Sequence, residues 1–301
     1  MPEPVYLCGP TASGKSALAM ALADRLGGEI VNGDAFQLYR GAPVVTAAPE
    51  AEDFEKAPHH LYAVLDPGEA CDAMRYRRMA LPVIEEIRGR GKVPIVTGGS
   101  GLYLKFLTHG PSPLPAADPA LRATLDRRPL ASLGDELREL DPVEAARTDL
   151  ANRRYVTRAL EICLLAGRPC SELRDRWLAR TRDIEGSLGG LLIRRARQDL
   201  HRRIDERAHR MLEAGAIEEV AALPACLSGL EKAIGIPQIR GLLAGEIDRE
   251  TCRDRIAAAT RQYAKRQETW FRREGWLRPV SWPADAPVPL DDAVAALSNR
   301  L

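Results

Sequence analysis

This chain of 301 residues has little to staple it and no evident anchor. Its six cysteines, Cys8, Cys71, Cys163, Cys170, Cys226 and Cys252, are scattered and form no C-x-x-C pair. That spacing argues against a zinc site and a disulfide framework, and it fits a cytoplasmic setting. No apolar run approaches the roughly 20 residues of a membrane span, so no membrane partner is expected. Nothing resembles a secretory signal, since the chain enters the apolar stretch Val5–Cys8 almost at once. Net charge is +1, which lends no whole-chain support to a nucleic-acid partner, so any such contact has to be local. There is no fixed-period repeat and no low-complexity tract. No hint of an oligomer is legible either, and a monomer is the expectation. What is present is a chain with 45% hydrophobic residues, enough for a sizeable core in one to two domains.

Against this background one motif stands out. Gly9, Pro10, Thr11, Ala12, Ser13, Gly14, Lys15 and Ser16 fit the pattern G-x-x-x-x-G-K-[ST] of a phosphate-binding loop. The apolar stretch at 5–8 reads as a buried strand before it, and the alanine- and leucine-rich stretch at 17–23 reads as a helix after it. In such a loop the backbone N–H groups and the helix N-terminus wrap an anionic phosphate. Lys15 adds a point charge, and the Ser16 hydroxyl suits Mg2+. The motif implies that a diphosphate or triphosphate binds. It is shared with ATP-binding and other nucleotide-binding enzymes, and it does not by itself specify a nucleotide.

The chain up to about residue 111 alternates strands and helices. Residues 29–32, 60–65 and 92–97 read as further strands, and 72–90 has helical spacing of Met74, Met79, Val83, Ile84 and Ile87. This alternation predicts an α/β fold with a parallel, doubly wound sheet flanked by helices, like that of P-loop NTPases. Ligands of such sheets sit at the carboxyl ends of the strands. The loop 9–16, Gly33-Asp34 and Gly98-Gly99-Ser100 are therefore expected to converge on one site. After the stiff linker Pro111-Ser112-Pro113-Leu114-Pro115, the stretch from 119 to about 180 is helical, arginine-rich and without a convincing strand. Leu191-Leu192-Ile193 then reads as a strand again. The expected organisation is a catalytic core of 1–111 and 189–301, with a helical insertion domain at 112–188. Long helices are expected at 199–213, 217–223 and 249–273.

Asp34 follows the second strand and faces the loop across the crevice. It suits a Mg2+ ligand, a general base, or a cap for a helix at 36–40. A hydrolase of this class usually has a second acidic residue at a buried strand end to hold Mg2+. The strand at 92–97 ends instead in Gly98-Gly99-Ser100, and Asp66, before Pro67, suits a turn. The missing acid weakens a hydrolase reading. Gly98 and Gly99 suit either close approach of a ligand to the backbone or a strand-to-helix turn. Arg197, His201, Arg203 and Arg207 open a helix, and Arg203 and Arg207 share a face. They suit diphosphate oxygens, or pairing with Asp199, Asp205 and Glu206 on a solvated face. Two segments are locally basic: Arg153-Arg154-Tyr155-Val156-Thr157-Arg158, and the stretch 261–273, which contains Tyr263, Lys265, Arg266, Gln267 and Trp270. Basic residues interleaved with aromatics can bind phosphates and stack on bases, and equally can be a solvated helix face.

Together these residues resemble the bacterial tRNA dimethylallyltransferase family, which prenylates the adenine just 3′ of the anticodon. The resemblance runs in order over nearly the whole chain, through the segments 9–16, 31–41, 57–67, 96–107, 152–161, 202–223, 232–238 and 259–272. It implies that the loop holds dimethylallyl diphosphate. It further implies that Asp34 takes a proton from N6 of adenine, that N6 attacks the allylic carbon, and that diphosphate leaves. Lys15, the loop backbone, Mg2+ on Ser16, and Arg197 and Arg203 stabilise the departing charge. Ser100 stands where the family usually has threonine and helps hold a flipped-out base. The resemblance further implies tRNA contacts from Asp34, Ala35, Phe36, Gln37, Ser100, Arg122, Arg154, Arg158, Lys232, Lys265, Arg266, Gln267 and Trp270, with the anticodon stem-loop as the partner.

Some positions depart from the family pattern. Tyr155 stands where arginine is common, Ile236 and Pro237 replace a tyrosine followed by a basic residue, and Val45 and Ala48 replace glycine and lysine. Altered tRNA contacts, rather than lost chemistry, are the expectation. The competing readings are a small-molecule kinase using ATP in the loop, ranked second, and a non-catalytic phosphate-loop module that binds RNA or protein.

Overall fold

The computed structural model describes residues 1–225, 227 and 229–298. Cys226 lies outside the described residues. The chain divides into two compact units, one of Met1–Gly110 with Ser187–Leu301 and one of Pro111–Gly186.

The larger unit is built on a six-stranded parallel sheet. Its strands are β1 (Val5–Cys8), β2 (Gly28–Asn32), β3 (His59–His60), β4 (Val93–Gly98), β5 (Gly189–Arg194) and β6 (Leu277–Ser281), in the order β3-β2-β4-β1-β5-β6. Helices α1 (Lys15–Leu26), α2 (Pro43–Thr46), α3 (Ala51–Lys56), α4 (Ala73–Gly89) and α5 (Gly101–His109) belong to its first half. Alternate residues of β1 feed opposite faces: Val5 and Leu7 join one hydrophobic core, Tyr6 and Cys8 the other. A central parallel strand is covered on both sides, which is why this strand is apolar throughout. The carboxyl ends of β1, β2 and β4 deliver the phosphate loop, Asp34 and Ser100 to the same edge.

The smaller unit is helical: α6 (Pro119–Asp126), α7 (Leu130–Leu140), α8 (Pro142–Arg147), α9 (Arg153–Ala166) and α10 (Cys170–Glu185). It has a core of its own around Leu125, Leu133, Leu137, Val156, Leu160 and Ile162. After it the larger unit continues with α11 (Arg197–Glu213), α12 (Ala216–Ala222), α13 (Ile236–Leu243), α14 (Arg249–Phe271) and α15 (Leu290–Leu297). Among the described residues no helix is long and apolar enough to cross a membrane.

Two features differ from the sequence reading. The strand expected at 60–65 stops at His60, because Leu61 (φ 63°) and Ala63 (φ 50°) are left-handed and cannot continue an extended ladder. Leu65 returns only as an isolated bridge to Tyr39. Strand β6 was hidden by Pro279, which cannot donate to a ladder but is tolerated here because β6 is an edge.

Candidate active site

Between β1 and α1 the phosphate loop curls through left-handed residues at Ala12 (φ 63°) and Gly14 (φ 96°). Gly14 is required sterically as well, since a Cβ there would lie 2.6 Å from the ring of Trp282. Lys15 Nζ donates to the Pro10 carbonyl at 2.7 Å. Burial lowers its pKa to about 8; the Asp34 charge opposes that shift and Arg207 adds to it.

Three arginines close on the loop. Arg195 Nε donates to the Ser13 carbonyl at 2.8 Å, Arg203 Nε to the Ala12 carbonyl at 2.8 Å, and Arg207 to Thr11 Oγ1 at 3.0 Å. Arg195 also pairs with Asp199 at 2.8 Å and lies 4.2 Å from the Trp282 ring centre, so it props the loop. Arg203 and Arg207 have no carboxylate partner among the described residues, and burial pulls both guanidinium groups below their ordinary pKa. Arg197, expected at the diphosphate, is exposed and lines no part of the crevice. The reason is helical phase: at 3.6 residues per turn it sits roughly 120° around α11 from Arg203. Arg207 stands on the right face instead.

Asp34 is fixed by its neighbours. Its N–H donates to Asn32 Oδ1 at 2.7 Å, its carbonyl accepts from Asn32 Nδ2 at 3.1 Å, and its Oδ1 accepts from the Phe36 N–H at 3.0 Å. The Asp34 side chain therefore caps a turn and not a helix, because no helix forms at 36–40. Gln37 donates from Nε2 to the carbonyls of Thr46 and Ala47. Those carbonyls end α2, whose first N–H groups, of Val44 and Val45, are held by the Glu219 carboxylate at 2.8 and 2.9 Å.

The crevice has two chambers that share Thr11, Asp34, Thr46 and Arg207. One is polar and is lined by the loop, Lys15, Ser16, Tyr62, Thr97, Arg203 and Arg210. The other is mainly apolar, with Phe36, Val45, Ile204, Met211, Ile256 and Tyr263 in its wall. The first suits an anionic group and the second a small apolar or flat one, and Asp34 stands at their junction. Among the described residues, Asp34 is the only carboxylate in the walls of either chamber.

Ser100 Oγ accepts from the Ala35 N–H at 2.9 Å, which ties the end of β4 to the turn after β2. The Tyr263 hydroxyl lies against Ser100 and Gln267. Gln267, expected to reach for tRNA, is 5% exposed, and its amide is engaged by the protein itself. Its Oε1 accepts from the Thr11 N–H at 2.8 Å and its Nε2 donates to the Gly99 carbonyl at 3.0 Å, so it braces loop against loop. The role of Gly98 also differs: a Cβ there would fall 2.1 Å from the Gly33 backbone, so the close approach is between two chain segments.

The other expected RNA contacts separate into two groups. Lys232, Lys265, Arg266 and Trp270 are exposed on the larger unit. Trp270 packs against Gly101, where a Cβ would lie 2.3 Å from its ring. In the smaller unit Arg154 and Tyr155 are exposed, but Arg122 and Arg158 both bind the fully buried Glu161 at 2.7 Å. Their inner nitrogens thus serve the fold of that unit, because a buried carboxylate has to be paired. Of the departures, Val45 and Ile236 are buried, and Pro237 occupies the first turn of α13, where its missing N–H is harmless. Sequence reasoning missed Arg195, Tyr62, Glu219 and Trp282; only Arg195, two residues before the α11 arginines, carried a usable signal.

Residues 37–274 match the family described as IPP transferase. A tRNA dimethylallyltransferase of Akkermansia muciniphila is 47% identical over 291 residues, covering 96% of this chain and 97% of that protein. One of Geobacter sulfurreducens is 43% identical over 93% of this chain and 92% of its own length. Among solved structures, the full-length tRNA isopentenylpyrophosphate transferase of Bacillus halodurans is similar with a TM-score of 0.71 and 30% identity, over 100% of this chain and 98% of that one. A eukaryotic dimethylallyltransferase captured acting on tRNA gives a TM-score of 0.71 at 26% identity, over 100% of this chain and 77% of that one.

Proposed function

The chain belongs to the IPP transferase family, and on that premise we propose that it transfers a dimethylallyl group from dimethylallyl diphosphate to N6 of the adenine 3′ to the anticodon of tRNA. The observation that carries this reading is Asp34 at the junction of a cationic and an apolar chamber. The donor's diphosphate occupies the first, against Lys15, Arg203 and Arg207. Its allylic carbon lies at the junction, and the adenine enters beside Asp34.

The chemistry then balances with the residues present. N6 forms a bond to the allylic carbon as the bond from that carbon to the diphosphate oxygen breaks. Asp34 takes the proton from N6, and the electron pair leaves with diphosphate. The side-chain charges and the loop N–H groups face the oxygen where negative charge grows, so they act where charge develops. The polar chamber also offers the Ser16 hydroxyl and no carboxylate besides Asp34. That donor set fits Mg2+ held mainly by waters and the substrate's phosphate oxygens. Bound there, the ion supplies further charge neutralisation of the diphosphate. Ser100, Tyr263 and Phe36 surround the base, and the exposed Lys232, Lys265, Arg266, Trp270 and Arg154 offer contacts to the anticodon stem-loop. The five described cysteines are free thiols, which suits the cytoplasm.

A kinase would need a hydroxyl acceptor and would consume ATP. The discriminating experiment incubates the protein with dimethylallyl diphosphate, Mg2+ and unmodified tRNA and analyses nucleosides by mass spectrometry. The expected result is a prenyl gain on adenosine. No gain, with ATP turnover on a small alcohol, would overturn the proposal in favour of the kinase.

A further inference from the structure

Tyr62 is placed in the polar chamber by an unusual piece of backbone. The residues on either side of it, Leu61 and Ala63, have φ of 63° and 50°. Left-handed conformations are uncommon for residues with a side chain and cost free energy, and they persist where the surroundings fix them. The surroundings do so here. The Leu61 carbonyl accepts from Asn32 Nδ2 at 2.9 Å, the same amide group that holds Asp34, and the Ala63 N–H donates to the Gln37 carbonyl at 3.0 Å. The Tyr62 ring is bracketed by His59 and Phe54, with ring centres 5.4 and 6.1 Å away. The segment therefore aims one aromatic side chain at the site and fixes it from three directions.

The hydroxyl at its tip has no hydrogen-bond partner among the described residues, although the side chain lines the polar chamber with Lys15 and Asp34. We infer that the Tyr62 hydroxyl is a further donor to the diphosphate of the prenyl substrate, acting alongside Lys15 and the arginines. Its position decides between the possible ligands. Tyr62 lines the chamber of the loop and the cations, and is absent from the apolar chamber where Phe36 and Tyr263 stand. A base or a prenyl chain belongs in the latter, and an anion in the former. Burial and the nearby Asp34 charge push the phenol pKa up, so the hydroxyl keeps its proton at any working pH. It thus supplies a neutral donor in a chamber where further cations would repel one another.

The inference rests on the dimethylallyl diphosphate reading, and the test separates the two. Inorganic diphosphate is titrated calorimetrically into the unaltered protein and into Tyr62→Phe, both with Mg2+. Steady-state KM values for dimethylallyl diphosphate and for tRNA are measured on the same samples. Tyr62→Phe removes one oxygen without a hydrogen-bond partner among the described residues, so its melting temperature is expected to match that of the parent. The expected result is diphosphate affinity weakened about tenfold, a parallel rise in KM for the prenyl donor, and KM for tRNA unchanged. Equal diphosphate affinity in the two proteins overturns the assignment of Tyr62 and leaves the prenyl-transfer reading standing. A rise in KM for tRNA alone also overturns it, by assigning the hydroxyl to the RNA. Failure of the unaltered protein to bind diphosphate overturns both. Should Tyr62→Phe melt early, Tyr62→Leu, which also removes the hydroxyl and keeps an apolar filler, serves as the second arm, and unchanged diphosphate affinity in that folded variant sinks the inference as well.

Discussion

Arg203 and Arg207 beside the phosphate loop, and Arg122, Arg158 and Arg174 in the unit 111–186, are all partly buried guanidinium groups with opposite surroundings. In the helical unit each meets a carboxylate: Arg122 and Arg158 share the buried Glu161, and Arg174 binds the buried Glu144. Beside the loop, Arg203 and Arg207 meet only a carbonyl and a hydroxyl of the loop itself. A buried charge without a counter-charge is costly, which is why buried arginines are normally paired. Arg122, Arg158 and Arg174 find their counter-charges within the helical unit, whereas Arg203 and Arg207 find none among the described residues. On the proposed function, the prenyl donor's diphosphate is the counter-charge that Arg203 and Arg207 lack.

The most severe way to test that division is to remove Asp34, the carboxylate that lines both chambers. Asp34→Asn keeps the turn, because the amide oxygen can still accept from the Phe36 N–H, but it cannot take the proton from N6. Turnover is expected to fall by about 10²–10⁴, the usual contribution of a positioned base. Affinity for tRNA, measured by filter binding, should be retained. Undiminished turnover would exclude Asp34 as the base and remove the reason for its place between the chambers.

The next test addresses the unpaired arginines directly. Arg207→Ala removes a charge-assisted contact to the departing diphosphate, worth roughly 1.5–3 kcal/mol, so kcat/KM for dimethylallyl diphosphate should fall about 10- to 100-fold. Since no carboxylate pairs with Arg207 among the described residues, the melting temperature of the variant should hold or rise. Arg197→Ala is the control, and its expected effect on the same ratio is small because its side chain is exposed away from the loop. A large loss of stability in Arg207→Ala would mean that the arginine serves the fold, as in the helical unit.

How much of this was legible in the sequence follows the same division. The loop, Asp34 and Ser100 could be read because strand ends in a parallel sheet converge, and each lies directly after an apolar strand. Residues whose role depends on another segment could not. Gln267 looked like one polar member of a basic helix, but its amide spans from Thr11 to Gly99, and nothing local announces that geometry. Arg197 and Arg203 are both α11 arginines near the loop, and only the exact start of the helix decides which faces the crevice. The turn at 61–63 was misread as strand because it lies in an apolar run from Leu61 to Leu65, and the left-handed φ values are imposed by Asn32 and Gln37 from outside. Glu161 was a partner no one-dimensional reading could give to Arg122, which lies 39 residues away.

Glu161 probes the other side of the comparison. Its carboxylate is fully buried and holds Arg122, Arg158 and the Asp118 N–H. Glu161→Ala releases both arginines, which are partly exposed and can be rehydrated, but leaves the α6 entry without its acceptor. The expected cost to the stability of that unit is about 2 kcal/mol, read from urea unfolding of the whole chain. Diphosphate affinity, which depends on the larger unit, should not change. A fall in that affinity with no loss of stability would reverse the roles assigned to the two sets of arginines.

The smallest expected effect is a pH dependence within the cationic chamber. Lys15 has its pKa lowered to about 8, first by burial and further by Arg207, with Asp34 opposing. A bound diphosphate favours the charged ammonium and raises that pKa. Below about pH 8 the amine is already protonated, so this group makes affinity flat with pH. Above it, binding must take up a proton, and affinity should fall by up to tenfold per pH unit until the raised pKa of the complex is reached. The ligand's own ionisation is cancelled by comparison with Lys15→Arg, whose guanidinium does not titrate in this range. The ratio of the two affinities should therefore be constant from pH 6 to about 8 and decline beyond it, and calorimetry in two buffers of different ionisation heat should register extra proton uptake, relative to Lys15→Arg, only on the alkaline side. A ratio that stays level through pH 9 would mean that Lys15 already has an anionic partner in the free protein, as Arg122, Arg158 and Arg174 do in the helical unit.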